Sequence, residues 1–447
     1  MRGGNKLAVY TFRGGIHIDE NKNTRRSQIE LLNSPKIVSI PLSQHIGVPC
    51  FPVVKKGDHV NMGQIIGDVD KESLGCPIHA SVSGTVIDIE EITTPTRTDI
   101  TNIIIENDML DTVDSSVVPN KKKLVDLESE DIIDIIRSAG ISGMGGATFP
   151  TYAKIQSAIG KADKMIINCA ECEPYITANH RLLLENPATV INGIKILMKA
   201  LGLRTTIIAV EDNKLDAINK LEALLINTKM ITVCVVKTKY PQGDERQLIY
   251  AISGKELPTG KLPADLGFVI FNAETCSAVF RALANGMPLI RKIVTVDGDC
   301  VKKPKNLLVP IGTPYIDLIN SCGGLKHPPK AIINGGPMMG FAQWDINAPV
   351  TKGTSAVLVF SKIPYSSRPF SCIHCGRCVG GCPMRLMPNY IAQFTQAGDF
   401  DGAEEYGASS CVECGSCSYL CPGLVPIVQY VRVAKAAIRA KKQPKRN

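Results

Sequence analysis

Cys372, Cys375, Cys378 and Cys382 stand in the run C-I-H-C-G-R-C-V-G-G-C-P, and Cys411, Cys414, Cys417 and Cys421 in the run C-V-E-C-G-S-C-S-Y-L-C-P. Both read C-x2-C-x2-C-x3-C-P. Three thiolates at two-residue gaps can hold three corners of a [4Fe-4S] cubane, and in a doubled run the fourth cysteine of each reaches the cluster of the other. The spacing therefore pairs Cys372, Cys375 and Cys378 with Cys421 around one cluster, and Cys411, Cys414 and Cys417 with Cys382 around the second. Pro383 and Pro422 follow the fourth cysteines, where a residue without an N–H turns the chain away from the cluster. Structural zinc is served instead by two separated C-x-x-C pairs about one tetrahedral ion. The chemistry expected of this segment is the movement of single electrons.

A second group of residues could hold an anion. G-M-G-G-A-T-F-P, residues 143–150, leads into a helical pattern beginning T-Y-A-K-I. Bare backbone before a helix can bring N–H groups and the helix's positive end against a phosphate. The preceding D-I-I-D-I-I-R-S-A reads as a helix, whereas a dinucleotide loop follows a strand, so a plain turn and a phosphate or flavin loop of another kind both stay open. Three further runs leave strands: I-N-C-A-E-C-E-P presents Asn168, Glu171 and Glu173; P-Q-G-D-E-R-Q presents Gly243, Asp244 and Glu245; F-N-A-E-T-C presents Asn272, Glu274 and Thr275. Ligands gather at such carboxyl-end loops in open α/β sheets, although each run alone also reads as a turn or a helix cap.

These groups need elements to position them, and 447 residues are enough for about three domains. Residues 36–106 alternate short β-prone runs with Gly, Asp and Pro, as in F-P-V-V-K-K-G-D-H-V and H-A-S-V-S-G-T-V-I-D-I, which predicts an all-β module within 1–120. A polar linker over 107–123 follows. Over 124–286 helices and strands alternate: strands are expected at 165–169, 205–210, 231–236 and 268–271, each a buried-type run suited to a parallel sheet. Val190, Ile191, Ile194, Leu197, Met198 and Leu201 form the stripe of a helix over 188–201. Paired β-runs leading into a short helix fill 287–345, a connector passes Gly336, Pro337 and Trp344, and the cluster segment occupies 365–440 before a basic tail at 441–447.

At 44% hydrophobic residues, the chain reads as globular, with no apolar run near the roughly 20 residues that span a bilayer and no secretory signal at its start. Cys50, Cys76, Cys169, Cys172, Cys234, Cys276, Cys300 and Cys322 are scattered as reduced thiols usually are. Net charge is +8, and Arg432, Lys435, Arg439, Lys441, Lys442, Lys445 and Arg446 account for most of it. A basic patch spread over a folded face, as nucleic acid requires, is not in view. The basic end suits anionic lipid, an acidic partner or plain solvation equally.

The β-runs of the first module resemble the hairpins of biotinyl/lipoyl barrel-sandwich domains, with Lys71 outside the register of a modified lysine, and the unit over 287–345 resembles the SLBB β-grasp domain. The runs in the α/β domain resemble those of the NADH-binding flavoprotein subunit of respiratory complex I, which has a Rossmann-like fold. By that resemblance Gly143, Gly145, Gly146 and Lys154 would cradle FMN, with Asn168, Asn272 and Thr275 alongside. Glu171, Glu173 and Glu245, in the latter case within a turn that also holds Gly243 and Asp244, would face flavin and nicotinamide. Met144, Thr148, Ala170 and Cys172 depart from that family's pattern. The full order of domains, with F-R-G-G-I-H and P-L-S-Q-H-I-G near the start, resembles the RnfC family, peripheral members of the Rnf complexes, which are membrane-bound ion-translocating ferredoxin:NAD oxidoreductases. The resemblance implies an enzyme subunit on the cytoplasmic face of the membrane, holding two [4Fe-4S] clusters and FMN, reacting with NAD(H) and meeting other subunits, a ferredoxin-like one included. A soluble cobalamin reductase and a cluster-only electron relay are the competing readings.

Overall fold

A computed structural model describes residues 8–95, 97–363 and 370–442. Its central sheet is parallel, in the order Val9–Tyr10, Ile231–Val236, Thr206–Glu211, Lys164–Cys169, Phe268–Asn272. Side chains of a strand alternate between faces, and here both faces are covered. Met165, Ile167 and Cys169 enter the large core beneath the helices Ser129–Ser138, Pro187–Leu201 and Ala273–Asn285, while Ile166 joins Leu248 and Ile249 of helix Glu245–Ser253 on the other side. That burial on both sides is why the strands read as continuous apolar runs. Helix Pro187–Leu201 begins on a proline and ends at Gly202 in the left-handed conformation. Its Gly193 lies against the backbone of Cys276 in the neighbouring helix, where any β-carbon would overlap the carbonyl.

The all-β module has a four-stranded sheet, in the order Ile37–Pro41, Ile100–Asn107, Gly84–Ile92, His59–Val60, facing a three-stranded one. Val38, Ile40, Val60, Ile66, Val86, Ile103 and Ile105 fill the space between. A fourth sheet, of six strands, joins Arg291–Asp297 to Lys305–Pro310 and to Ala356–Phe360, and continues through Ala331–Asn334 to Phe341–Gln343. Helix Tyr315–Ser321 covers it through Leu318 and Ile319.

Two differences from the sequence reading matter for the site. Residues 8–31 do not stay with the all-β module: Val9–Tyr10 edges the parallel sheet and Ile29–Leu31 edges the six-stranded sheet. Between them, Gly14 and Gly15, at φ 69° and 73°, bring the chain against the Cys382 carbonyl and the Gly381 carbonyl, which accepts the Gly15 N–H at 3.2 Å. The basic end, too, is structured as far as it is described. Ile427–Lys442 is a helix whose Arg432 and Lys435 hold Glu413, and whose Lys441 and Lys442 pair with Asp401 and Glu404. Lys445 and Arg446 lie outside the described residues. Among the described residues no helix is long and apolar enough to cross a membrane.

Candidate functional site

The strand ends open into one cleft of about 1230 Å³, and every residue expected to face a nucleotide lines it: Gly143, Gly145, Gly146, Lys154, Asn168, Glu171, Glu173, Gly243, Asp244, Glu245, Asn272 and Thr275. The glycine turn is pinned from below. Gly143 N–H donates to the Phe149 carbonyl (2.9 Å) and Met144 N–H to Thr275 Oγ1 (3.1 Å). Met144, where the resembled loop has arginine, packs into the main core instead. Gly146 has φ 117°, which side chains rarely tolerate, and the N–H groups of Gly145, Gly146 and Ala147 have no acceptor among the described residues. Oriented amides left open beside a cleft suit a phosphate. Lys154, in helix Thr151–Ala158, donates to the Ile270 carbonyl (3.1 Å) and lies 3.8 Å from Glu245 Oε2.

Several of the polar residues brace loops. Asn168 and Asn272 are in register on adjacent strands. Asn168 donates to the Gly243 carbonyl (2.8 Å) and accepts the Ala170 N–H (3.1 Å), tying two loops together. Glu171 accepts the N–H groups of Asn179 (2.8 Å) and His180 (3.4 Å) at the start of helix Ala178–Glu185. Glu274 is held by Lys292 (2.8 Å) and the Ile293 N–H (2.7 Å). Asp244 caps helix Glu245–Ser253 through the N–H groups of Arg246 (3.0 Å) and Gln247 (3.1 Å), and burial pushes its pKa up to about 6. Asn272 caps Ala273–Asn285 by accepting the Glu274 N–H at 2.9 Å. Asn272→Ala should therefore cost about 1 kcal/mol, seen as roughly fivefold faster hydrogen exchange in that helix's first turn; unchanged exchange would deny it the capping role.

Glu173 is placed differently. Its carboxylate accepts the N–H groups of Met338 (3.1 Å) and Met339 (2.9 Å), which arrive from the domain of the six-stranded sheet, and the Tyr240 hydroxyl stands 3.4 Å away. Burial pushes its pKa up to about 7 against the opposing pull of those N–H groups. Gly336 makes room for it, since a β-carbon there would strike the carboxylate. Tyr240, 1% exposed, donates to the Cys414 carbonyl at 2.6 Å. Val412 and Glu413 reach the same cleft, so one side of the cysteine loop is a wall of the nucleotide-sized space.

The eight motif cysteines separate into the two quartets that their spacing predicts. Cys382, Cys411, Cys414 and Cys417 line one cavity with Pro383, Leu386, Ile391 and Val412, and Cys372, Cys375, Cys378 and Cys421 line another of about 400 Å³. None of the sixteen cysteines is in a disulfide. Among the described residues no three His, Cys, Asp or Glu side chains are close enough to hold a single metal ion. Each quartet thus rings a space, which fits a cubane better than one tetrahedral ion, whose sulfurs would stand within about 4 Å of one another.

Two residues that brace the site were not singled out from the sequence. Lys22 donates to the carbonyls of Glu171 (2.7 Å), Glu173 (2.7 Å) and Ile176 (2.6 Å), and so shapes the whole acidic run. Tyr240 abuts the P-Q-G-D-E run, the one signal that pointed toward it; nothing in N-K-N-T marks Lys22.

Comparison with known proteins follows this division of the chain. Residues 10–110 match the RnfC barrel sandwich hybrid domain, 136–281 the Nuo51 FMN-binding domain, 293–342 the SLBB domain and 365–422 a 4Fe-4S dicluster domain. The chain is 43% identical over 436 residues to the RnfC-type component of the Na+-translocating ferredoxin:NAD+ oxidoreductase complex of Acetobacterium woodii, covering 97% of this chain and 98% of that one. It is 44% identical over 434 residues to the corresponding component of the proton-translocating complex of Clostridium ljungdahlii, covering 96% and 94%. To that of the ion-translocating oxidoreductase complex of Rhodobacter capsulatus it is 38% identical over 450 residues, covering 98% and 85%. With an FMN-binding domain, a two-cluster domain and likeness along nearly its whole length, this chain belongs to the RnfC family of ion-translocating ferredoxin:NAD+ oxidoreductase complexes.

Proposed function

We propose that this subunit exchanges hydride with NAD(H) at FMN in the cleft and passes single electrons through its two [4Fe-4S] clusters to or from a partner subunit. The observation that carries this reading is the shared wall: the glycine turn, the acidic runs and residues 412–413 of the second cysteine loop line one cleft. FMN, when bound, supplies the conversion between a hydride's electron pair and single electrons. The open amides of residues 145–147 and the Lys154 ammonium hold its phosphate, while Asn168 and Asn272 keep the surrounding loops in place. Cys382, Cys411, Cys414 and Cys417 hold the cluster next to the cleft. Cys372, Cys375, Cys378 and Cys421 hold the other, where exposed Cys375, Phe370 and Ile373 offer a cluster-bearing partner an apolar landing surface. The same reading makes the protein peripheral, on the cytoplasmic face of the membrane, and the +8 charge plays no part with nucleic acid.

Anaerobically purified protein should contain flavin and about eight irons, and NADH should bleach the flavin and raise a cluster EPR signal. Full iron without flavin or a response to NADH would reduce the chain to an electron relay. Glu173 gives a finer test. Loss of hydride leaves positive charge on nicotinamide, which a nearby carboxylate stabilises and a protonated acid does not. The raised pKa of Glu173, about 7, puts that change within reach. Bleaching should speed up several-fold as pH rises through 7, and Glu173→Gln should stay at the slow level across the range with its iron content unchanged. A native profile without that inflection would remove Glu173 from the hydride step.

A further inference from the structure

Tyr240 stands where four parts of the chain meet. It is 1% exposed and clusters with Ile16 of the N-terminal segment, Cys172 of the acidic run, Met338 of the turn from the six-stranded sheet and Cys414 of the second cysteine loop. Its backbone is fixed by a reciprocal pair: Tyr240 N–H donates to the Ile16 carbonyl at 2.9 Å, and Ile16 N–H to the Tyr240 carbonyl at 2.8 Å. Two acceptors face the hydroxyl, the Cys414 carbonyl at 2.6 Å and Glu173 Oε1 at 3.4 Å. A phenol has one proton to give, so the two compete for it.

The nearer acceptor is neutral, and the farther one, when ionised, is charged. Hydrogen bonds to a carboxylate are roughly twice as strong as those to a neutral group, so an ionised Glu173 draws the proton against the difference in distance. Glu173 is not free to turn away, because Oε1 also accepts the Met339 N–H at 2.9 Å and Oε2 that of Met338 at 3.1 Å. A neutral acid or amide in its place exerts no such pull. Where the proton goes matters to the quartet. Cys414 lines its cavity with Cys382, Cys411 and Cys417, and a donor on its carbonyl polarises the ligand loop in the sense that favours an added electron. Other donors act on this loop from within the cluster segment, Lys435 Nζ on the Cys411 carbonyl at 3.0 Å and Glu413 N–H on Cys411 Sγ at 3.3 Å. Tyr240 differs from them in coming from the α/β domain and in touching the acid of the cleft.

We propose that Tyr240 is a positioning residue that carries the charge of Glu173 to the cluster held by Cys382, Cys411, Cys414 and Cys417: neutralising Glu173 releases the hydroxyl proton to the Cys414 carbonyl and raises that cluster's reduction potential. A cation arriving beside the carboxylate acts in the same sense, so the state of the cleft is read at the cluster next to it. The inference rests on a cluster at that quartet and not on hydride chemistry.

Potentiometric EPR titration of the cluster-loaded chain, with mediators and without NADH, tests it at about pH 8, above the Glu173 pKa of about 7. Glu173→Gln should make reduction of that cluster about tenfold more favourable, a rise of about 59 mV for one electron, and Tyr240→Phe alone should make it about threefold less favourable. In the Tyr240→Phe background the glutamine substitution should lose at least half of its effect. The potential of the cluster held by Cys372, Cys375, Cys378 and Cys421 should stay at its native value in every variant, which a general loosening of the fold would not allow. Equal shifts from Glu173→Gln in the two backgrounds, or none in either, would overturn the role of Tyr240. Phenylalanine keeps the buried ring, and about eight irons per chain check that both clusters assemble. Should Tyr240→Phe lose iron, fluorotyrosine at that position, a stronger donor of nearly the same shape, should raise the potential above native, and an unchanged or lowered value would overturn the proposal. Native protein without about eight irons would instead sink the cluster reading, and this proposal with it.

Discussion

Cys417→Ala should lower the iron content from about eight to about four per chain and cut the path from cleft to surface while NADH still bleaches the flavin. Cys417 is 7% exposed and shares its cavity with Cys382, Cys411 and Cys414. That cavity is the one next to the cleft: Val412 and Glu413 line the nucleotide space, and Tyr240 joins Glu173 to the Cys414 carbonyl. The other quartet includes the exposed Cys375 and adjoins Phe370 and Ile373, 69% and 67% exposed. If electrons pass in that order, the remaining cluster of Cys417→Ala is stranded. Its EPR signal should appear with dithionite, which shows that it is assembled, and should be slower by orders of magnitude to appear with NADH. Cys375→Ala should behave in the opposite way, its remaining cluster reduced by NADH at the native rate but unable to deliver to a partner. Prompt reduction by NADH in Cys417→Ala would mean that the flavin reaches the outer cluster directly, and the proposed order would fail.

The grouping of the motif cysteines about two cavities was legible because their gaps are fixed, and Cys372 with Cys421 or Cys382 with Cys417 can be paired by spacing alone. The parallel strands were legible for a similar reason. A strand buried on both faces needs an unbroken apolar run, and expectations at 165–169 and 231–236 met Lys164–Cys169 and Ile231–Val236. Short edge strands carry no such demand: Val9–Tyr10 and Ile29–Leu31 exist because distant strands offer them partners, which no local pattern encodes. The site divided along the same line. Asn, Asp and Glu at strand ends mark either a ligand loop or a cap, and the residue type does not say which. Asn168, Glu171 and Asp244 line the cleft, yet their side chains are engaged with backbone groups of neighbouring loops and helices. What sets Glu173 apart is that its carboxylate is engaged from another domain: it needs the turn at 338–339, which comes from a different sheet.

Lys22→Met should loosen the acidic run more than any change within the run itself. One ammonium serves the carbonyls of Glu171, Glu173 and Ile176, all within 2.7 Å, and it comes from the segment between the two N-terminal edge strands. Burial lowers the Lys22 pKa, with Glu171 pulling it back up, so placing the charge there carries a cost. Methionine of similar length would relieve that cost but leave three carbonyls facing an apolar chain, and unpaired carbonyls are the larger penalty. A net loss of about 3 kcal/mol is expected. A chain of several domains need not unfold in one step, so the loss should be read locally, as roughly hundredfold faster hydrogen exchange across residues 171–180. The all-β module should exchange as before, and the cluster EPR signals should persist. Flavin retention should fall as well, because Glu173 loses its position relative to the 338–339 turn. Exchange across 171–180 that matched the native protein would show that the 338–339 turn of the six-stranded sheet and Tyr240 hold Glu173 unaided, and that the N-terminal segment is a passenger on the site rather than one of its supports.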